Sequence, residues 1–126
     1  MSGKHPARDC PAMPQHAQHL TEAAILILLG RGNRYGYAML DQLKSLRLGQ
    51  GEPDSSTLYR TLRRLERNGF VRSDWAAGGP GPRRRVYEAT DAGRAHLHDW
   101  IALLKERRRC INTIIAAHDE LADKET

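Results

Sequence analysis

The sequence predicts a mostly α-helical chain with one small β hairpin. Three observations lead there. Leu58, Leu62 and Leu65 recur at spacings of four and three, which puts them on one face of a helix. After Gly69 the pattern changes: Phe70, Val71 and Trp75 form one short β-type run, and Val86 and Tyr87 form another across the glycine-proline segment AAGGPGPRRR. Finally, Leu97, Ile101, Leu104, Arg108, Ile111, Ile115 and His118 recur every three to four residues, the mark of one long helix. Helix, strand, basic hairpin, strand is the order of a winged helix-turn-helix.

Residues 1–19 hold three prolines and no hydrophobic period, so they are expected to form a flexible tail. Leu20 to Leu29 is almost wholly apolar, too short to span a bilayer and long enough for a buried helix. Ala24, Ile25, Leu28 and Leu29 suit its inner face, which leaves Leu26 and Ile27 over unless a second surface covers them. Gly30 and Gly32 end this helix, and Asn33 is placed to cap the next. Tyr35 to Leu46 is expected to be helical, with Met39, Leu40, Leu43 and Leu46 inward, and residues 47–54 connect it to the next helix. There, Asp54, Ser55 and Ser56 each carry an oxygen able to accept from a free backbone N–H at the start, and Asn68-Gly69 forms the end. Thr90 caps the last helix, predicted from Asp91 to about Ala122, with Asp91 favourable at its positive end. Such a helix would reach roughly 45 Å, against a radius of gyration of ~14 Å for a domain of this size. Its stripe therefore needs a second surface, most economically another copy of the chain. Trp100, Leu103 and Ile114 widen that stripe, and the cluster ERRRC at 106–110 interrupts it, as a kink, an exposed turn or a solvated helical face rather than a second DNA site. The expected organisation is a tail at 1–19, a winged helix-turn-helix domain at 20–90 and a dimerisation helix at 91–126.

Charge separates functional classes. The 126-residue chain carries a net charge of +5, and residues 54–90 alone hold eight Lys/Arg against four Asp/Glu. Positive charge is thus concentrated on the third helix and the hairpin, as a polyanion-binding surface requires. No apolar run is long enough to cross a membrane and no secretory leader is evident, so a cytoplasmic location is expected. Two cysteines far apart, Cys10 and Cys110, do not make a disulfide framework. An enzyme would need a nucleophile with its base, paired carboxylates or an open metal site. The six histidines divide between the tail and the last helix, with no HExxH, phosphate loop or dinucleotide fingerprint, so no catalytic site is expected. The tail does hold soft and borderline ligand types, Cys10, Met13, His16 and His19, and Cys10-Pro11 is similar to the dipeptide of some haem-responsive proteins. Pro11 and Pro14 prevent a regular helix through that series, so equal spacing does not bring the ligands to one face. The expectation is no cofactor, with Cys10, His16 and His19 as the candidate ligands if a metal or haem does bind.

SSTLYRTLRRLERNGFV followed by RRRVYEATDAGR closely resembles the PadR family of transcriptional regulators, and LTEAAILILLGRGNRYGYAMLDQL is similar to that family's first two helices, including the Gly36-Tyr37 pair. The resemblance covers roughly residues 20–104 and departs at Arg60, where many members carry proline after the Leu-Tyr pair. It implies that the helix after Asp54 reads DNA.

The residues fit that role. Ser55, Ser56 and Thr57 offer short hydroxyls at the helix start, and Tyr59, Arg60 and Arg63 extend from its polar face to bases or phosphates. Tyr35 and Tyr37 lie at a helix N-terminus, where phenol hydroxyls and backbone N–H groups can meet a phosphate. Alternation along the second strand sends Arg83 and Arg85 to one face and Arg84 to the other, and the glycine-rich tip lets arginines reach a groove. Leu97, Trp100, Ile101, Leu104, Ile111, Ile114 and Ile115 form the expected dimer stripe, where Trp100 is either an interface anchor or one wall of an effector pocket. The expected function is sequence-specific binding of double-stranded DNA by a homodimeric repressor released by a small-molecule effector, with no membrane partner. The alternative is a metal, haem or effector sensor whose winged helix serves mainly protein interaction.

Overall fold

The computed structural model describes residues 16–48, 53–76, 81 and 83–125. Along them run α1 (His16–Gly30), α2 (Gly36–Leu46), α3 (Ser55–Arg67), β1 (Val71–Trp75), β2 (Arg85–Ala89) and α4 (Asp91–Glu125). The chain divides into two compact units, one of residues Gln15–His98 and one that takes Asp99–Thr126.

In the first unit, α1 is the central element, packed against α2, α3 and β2. Ile25 and Leu28 are fully buried, and Met39, Leu43, Leu58, Leu62, Leu65 and Val71 close the core around them. Each such side chain contributes about 1.5–3 kcal/mol through its removal from water. Leu26, expected to be left over, is only 2% exposed. A helix flanked by three elements buries more than one face, so Leu26 needs no second chain to cover it; Ile27 stays at the surface. The helix also begins four residues before Leu20, because HAQH contains no helix breaker and only Pro14, further back, interrupts the run.

Helix ends follow local chemistry. Gly32 (φ 96°) and Gly69 (φ 81°) sit in the left-handed region past α1 and α3, where a Cβ would be strained. Asn33 N–H donates to the Leu28 carbonyl at 3.0 Å and Phe70 N–H to the Leu65 carbonyl at 2.9 Å, closing both helices with the same six-residue turn. Asn33 is therefore used at the end of α1. The residue preceding α2 is Tyr35, whose side chain makes no capping bond. Asp54 is the cap of α3, its carboxylate accepting from Thr57 N–H at 2.8 Å. That backbone bond, followed by the Thr57 hydroxyl, holds the Asp54 carboxyl below the usual carboxylate range. A lowered value means that the cap's stabilisation is present above the ordinary carboxylate pKa and fades as pH falls through the lowered one.

β1 and β2 pair antiparallel, with Val71 opposite Ala89 and Trp75 opposite Arg85. The segment before α2 adds a short third rung: Tyr35 bridges Val86, and Tyr87 N–H donates to the Arg34 carbonyl at 2.9 Å. A part-buried ion pair ties α3 inward. Arg64 Nε and Nη2 both lie 2.8 Å from Glu22 Oε2, while His96 Nε2 is 3.8 Å from Glu22 Oε1 and its ring stacks on Phe70 at 4.0 Å.

The start of α4 is fixed on the turn after α3. Thr90 Oγ1 donates to the Gly69 carbonyl at 2.6 Å and accepts from Gly93 N–H at 3.0 Å. At Gly93 a Cβ would overlap the Phe70 carbonyl oxygen, so only glycine permits this approach. In the second unit the helix continues without interruption through the ERRRC cluster to Glu125. Arg108 and Arg109 are exposed there, and every residue from Ile111 to Leu121 is exposed, including Ile111, Ile114, Ile115 and Leu121. Among the described residues no helix is long and apolar enough to cross a membrane.

Replacing Thr90 by alanine is expected to cost about 1 kcal/mol in urea unfolding through loss of the cap. Gly93→Ala is expected to cost more, because the obstacle is backbone and cannot rotate away.

Candidate nucleic-acid interface

Burial of Leu58, Leu62 and Leu65 commits α3 to one orientation about its axis. The opposite face then carries Ser55, Ser56, Tyr59, Arg60, Arg63 and Arg67, all exposed, while Thr57 is half-buried. Arg64 lies outside this set because Glu22 holds it within the unit. Short hydroxyls thus sit at the helix start and longer cations one to three turns on.

Tyr59 does more than face solvent. Its ring lies against the backbone of Gly36 at the start of α2: a Cβ there would overlap the phenol oxygen and stand 2.7 Å from Cζ. Tyr59 is therefore a packing residue between α2 and α3 that keeps an exposed edge, 37% of its surface. Gly36 is the partner that makes this fit possible, and a glycine just inside the helix expected from Tyr35, where it weakens the helix, was the available signal.

The wing arginines divide as alternation requires. Arg84 lies over the Tyr37 ring, 5.4 Å from its centroid, with Nη1 3.4 Å from the phenol oxygen. Tyr37 in turn stacks on Tyr35 at 5.7 Å, and is 61% exposed. On the other side, Arg83 and Arg85 both lie over Trp75, at 5.6 and 5.0 Å. Trp75 was not among the expected site residues; its position at the end of a strand facing the arginine cluster was the clue. Between helix and wing lies Tyr87, which is 6% exposed. Burial first, then the nearby Tyr59 phenol, push its hydroxyl above the usual tyrosine range, while Arg85 and Arg63 pull it down.

The remaining candidates fall elsewhere. Leu97 packs against the core of the first unit. Trp100, Ile101 and Leu104 are half-buried, and Ile111, Ile114 and Ile115 are exposed. Cys10 lies outside the described residues, and His16 and His19 fall in the first turns of α1. Among the described residues no group of His, Cys, Asp or Glu could hold a metal ion. A groove of about 550 Å³ opens between α1, β2 and the start of α4, with Leu26, Ile27, Leu29 and Leu97 as apolar walls and Arg34 and Arg94 among its polar ones.

The sequence profile of the Transcriptional regulator PadR-like family matches residues 25–99. The chain belongs to that family. It is 34% identical over 79 residues to the negative transcriptional regulator PadR of Bacillus subtilis, an overlap of 62% of this chain and 43% of that one. Less than half of that curated relative's length is therefore spanned. The crystal structure of Bacillus subtilis PadR in complex with operator DNA superposes with a TM-score of 0.57 at 29% identity, covering 65% of this chain and 47% of that one. A PadR-like transcription factor from Bacteroides fragilis is similar over 79% of this chain and 94% of its own, with a TM-score of 0.68 and 29% identity. The family is one of PadR-like regulators rather than enzymes, and the winged helix with a long last helix is its fold.

The Gly36–Tyr59 contact is open to a double-mutant cycle. Gly36→Ala is expected to destabilise the fold by about 1–3 kcal/mol through overpacking. In a Tyr59→Ala background the same change should cost at least ~1 kcal/mol less. Additive costs would mean that the two residues do not meet.

Proposed function

We propose that the chain binds double-stranded DNA sequence-specifically as a cytoplasmic homodimer and represses transcription until an effector releases it. The observation that carries this reading is the outer face of α3: exposed Ser55 and Ser56 at its start, Arg60 and Arg63 beyond them, and the arginine wing alongside. A helix of this kind fits a major groove, where short hydroxyls approach base edges and arginines reach guanine or the phosphates. Arg83, Arg84 and Arg85 add cations where a hairpin would meet the backbone or the minor groove. Tyr35 and Tyr37, with Arg84 beside them, suit a phosphate near the start of α2. The complex of Bacillus subtilis PadR with operator DNA supports the same assignment.

In this reading residues 16–90, which include the start of α1 that the sequence pattern had left in the tail, are the DNA-binding domain and residues 91–126 the dimerisation helix. Exposed Ile111, Ile114 and Ile115, with Trp100, Ile101 and Leu104 on the same helix, supply an apolar stripe that a second copy would bury. Leu97 contributes less, since its own core already takes part of its surface. Two reader helices so joined would enter successive major grooves about 34 Å apart on a pseudo-palindromic site. An effector that altered the angle between the paired helices would alter that spacing and release the duplex.

Titration of a labelled duplex from the DNA upstream of its own coding sequence, at several salt concentrations, tests this. Log affinity should fall linearly with log salt, and competitor DNA should not abolish binding. Arg63→Ala is expected to weaken specific binding by about tenfold or more, as loss of a base contact worth roughly 1–3 kcal/mol does. Arg84→Ala should weaken binding to every duplex modestly and reduce the salt slope by about one. No binding below ~10⁻⁴ M even at low salt would refute the assignment and leave a protein-interaction module. Separately, Leu104→Asp should give a helical monomer in sedimentation with little affinity for a palindrome; a folded monomer binding as tightly as the parent would refute the dimer account.

A further inference from the structure

Trp75 has no role in the core. It stands outside the buried cluster, at the last position of β1, with 46% of its surface in water. A single exposed indole is unremarkable in itself. What distinguishes this one is its company: the guanidinium carbons of Arg83 and Arg85 lie 5.6 and 5.0 Å from its ring centroid. Strand register explains the nearer one: Arg85 is the direct cross-strand partner of Trp75, and Arg83, two residues ahead of β2, reaches the same ring. Arg84 turns to the other side and lies over Tyr37.

Arg85 is held a second way. Its Nε donates to Ser73 Oγ at 3.1 Å, and Ser73 Oγ donates to Glu66 Oε2 on α3 at 2.7 Å. The wing cation nearest the sheet is therefore referenced to the reader helix through two hydrogen bonds, and the next one out is brought to the same platform by the indole. A flexible arginine loses side-chain entropy when it grips a polyanion. Stacking on a fixed ring takes part of that loss before the ligand arrives, while leaving the N–H edges of a guanidinium available to phosphate oxygens.

We infer that Trp75 is a positioning residue for DNA binding: its indole pre-orients Arg83 and Arg85 as a paired phosphate grip set in register with α3. This rests on the DNA-binding reading above and adds to it a residue that does not itself need to touch the duplex.

Two readouts separate the inference from that reading. In the free protein, the Arg83 and Arg85 Nε–H resonances in a ¹⁵N spectrum should be displaced by the indole ring current. They should move toward ordinary arginine positions in Trp75→Leu and keep part of their displacement in Trp75→Phe, with the Arg84 resonance unchanged throughout. In duplex titrations, Trp75→Leu should weaken binding by roughly tenfold, the combined size of two exposed cation–π contacts. Trp75→Phe should recover most of that loss, and Trp75→Leu should add little once Arg83 and Arg85 are both alanine. Thermal unfolding midpoints should stay close to the parent's, since Trp75 lies outside the core.

Wild-type arginine resonances that do not respond to Trp75→Leu would overturn the stacking. Displaced resonances with unchanged duplex affinity in Trp75→Leu would overturn the positioning role and leave DNA binding intact. Displaced resonances in a wild-type protein that binds no duplex would instead overturn the DNA-binding reading, and the positioning role with it.

Discussion

Burial of the inner face of α3 is the constraint on which the rest of the interface depends. Leu58, Leu62 and Leu65 are each at most 1% exposed. Rotation of α3 by one residue, about 100°, would bring polar or charged side chains into that core and send leucines to water. The cost of several kcal/mol fixes the rotation, and with it the direction in which Ser56, Arg60 and Arg63 point. Arg64 reinforces the same choice. Its pairing with the buried Glu22 carboxylate is satisfied in only one rotation of the helix, and loss of Arg64 would remove the hydrogen bonds that offset burial of that carboxylate.

From that fixed helix the other parts take their positions by close approach. Tyr59 lies on Gly36 and so spaces α2 from α3, while Gly93 lets α4 begin against the Phe70 carbonyl. Ser73 joins Glu66 of α3 to Arg85 of the wing. Tyr87 is buried, and burial first and the Tyr59 phenol next raise its hydroxyl above the usual tyrosine range. The outer face of α3 and the wing carry cations whose supports are apolar or aromatic, and in the proposed DNA-binding reading that geometry would be set before a polyanion arrived. That arrangement also explains why the glycines matter here: two of them are sites where one element's backbone must come within contact distance of another.

The second unit follows a different logic. A helix with isoleucines exposed at 111, 114 and 115 is not made stable by its own core along that stretch. Short-range pairs such as Arg109 with Glu106 support it locally, and such pairs contribute only tenths of a kcal/mol each. An apolar stripe of this length is consistent with burial against a second copy, which is how the proposed dimer would set the spacing of two reader helices.

Much of this was legible in the linear chain. The leucine spacing, the change of period after Gly69 and the Asn68-Gly69 stop gave α3 and the hairpin, because helix rotation and chain reversal are decided by residues close in sequence. The separation of Arg84 from Arg83 and Arg85 followed from strand alternation alone. Other features did not follow. Asn33 was expected to cap α2 but completes the turn after α1, a competition between two local hydrogen-bond patterns that the residue type does not resolve. Leu26 was assigned to a second surface, because a one-dimensional pattern does not reveal that three elements surround α1. Trp75 was read as part of a strand, and Tyr59 only as an exposed contact. The sequence by itself determined where helices and strands form and where positive charge collects, since those depend on near neighbours. Tertiary structure alone decided which ring lies under which arginine, which glycine admits which backbone and which carboxylate is buried, because those contacts join residues up to dozens of positions apart.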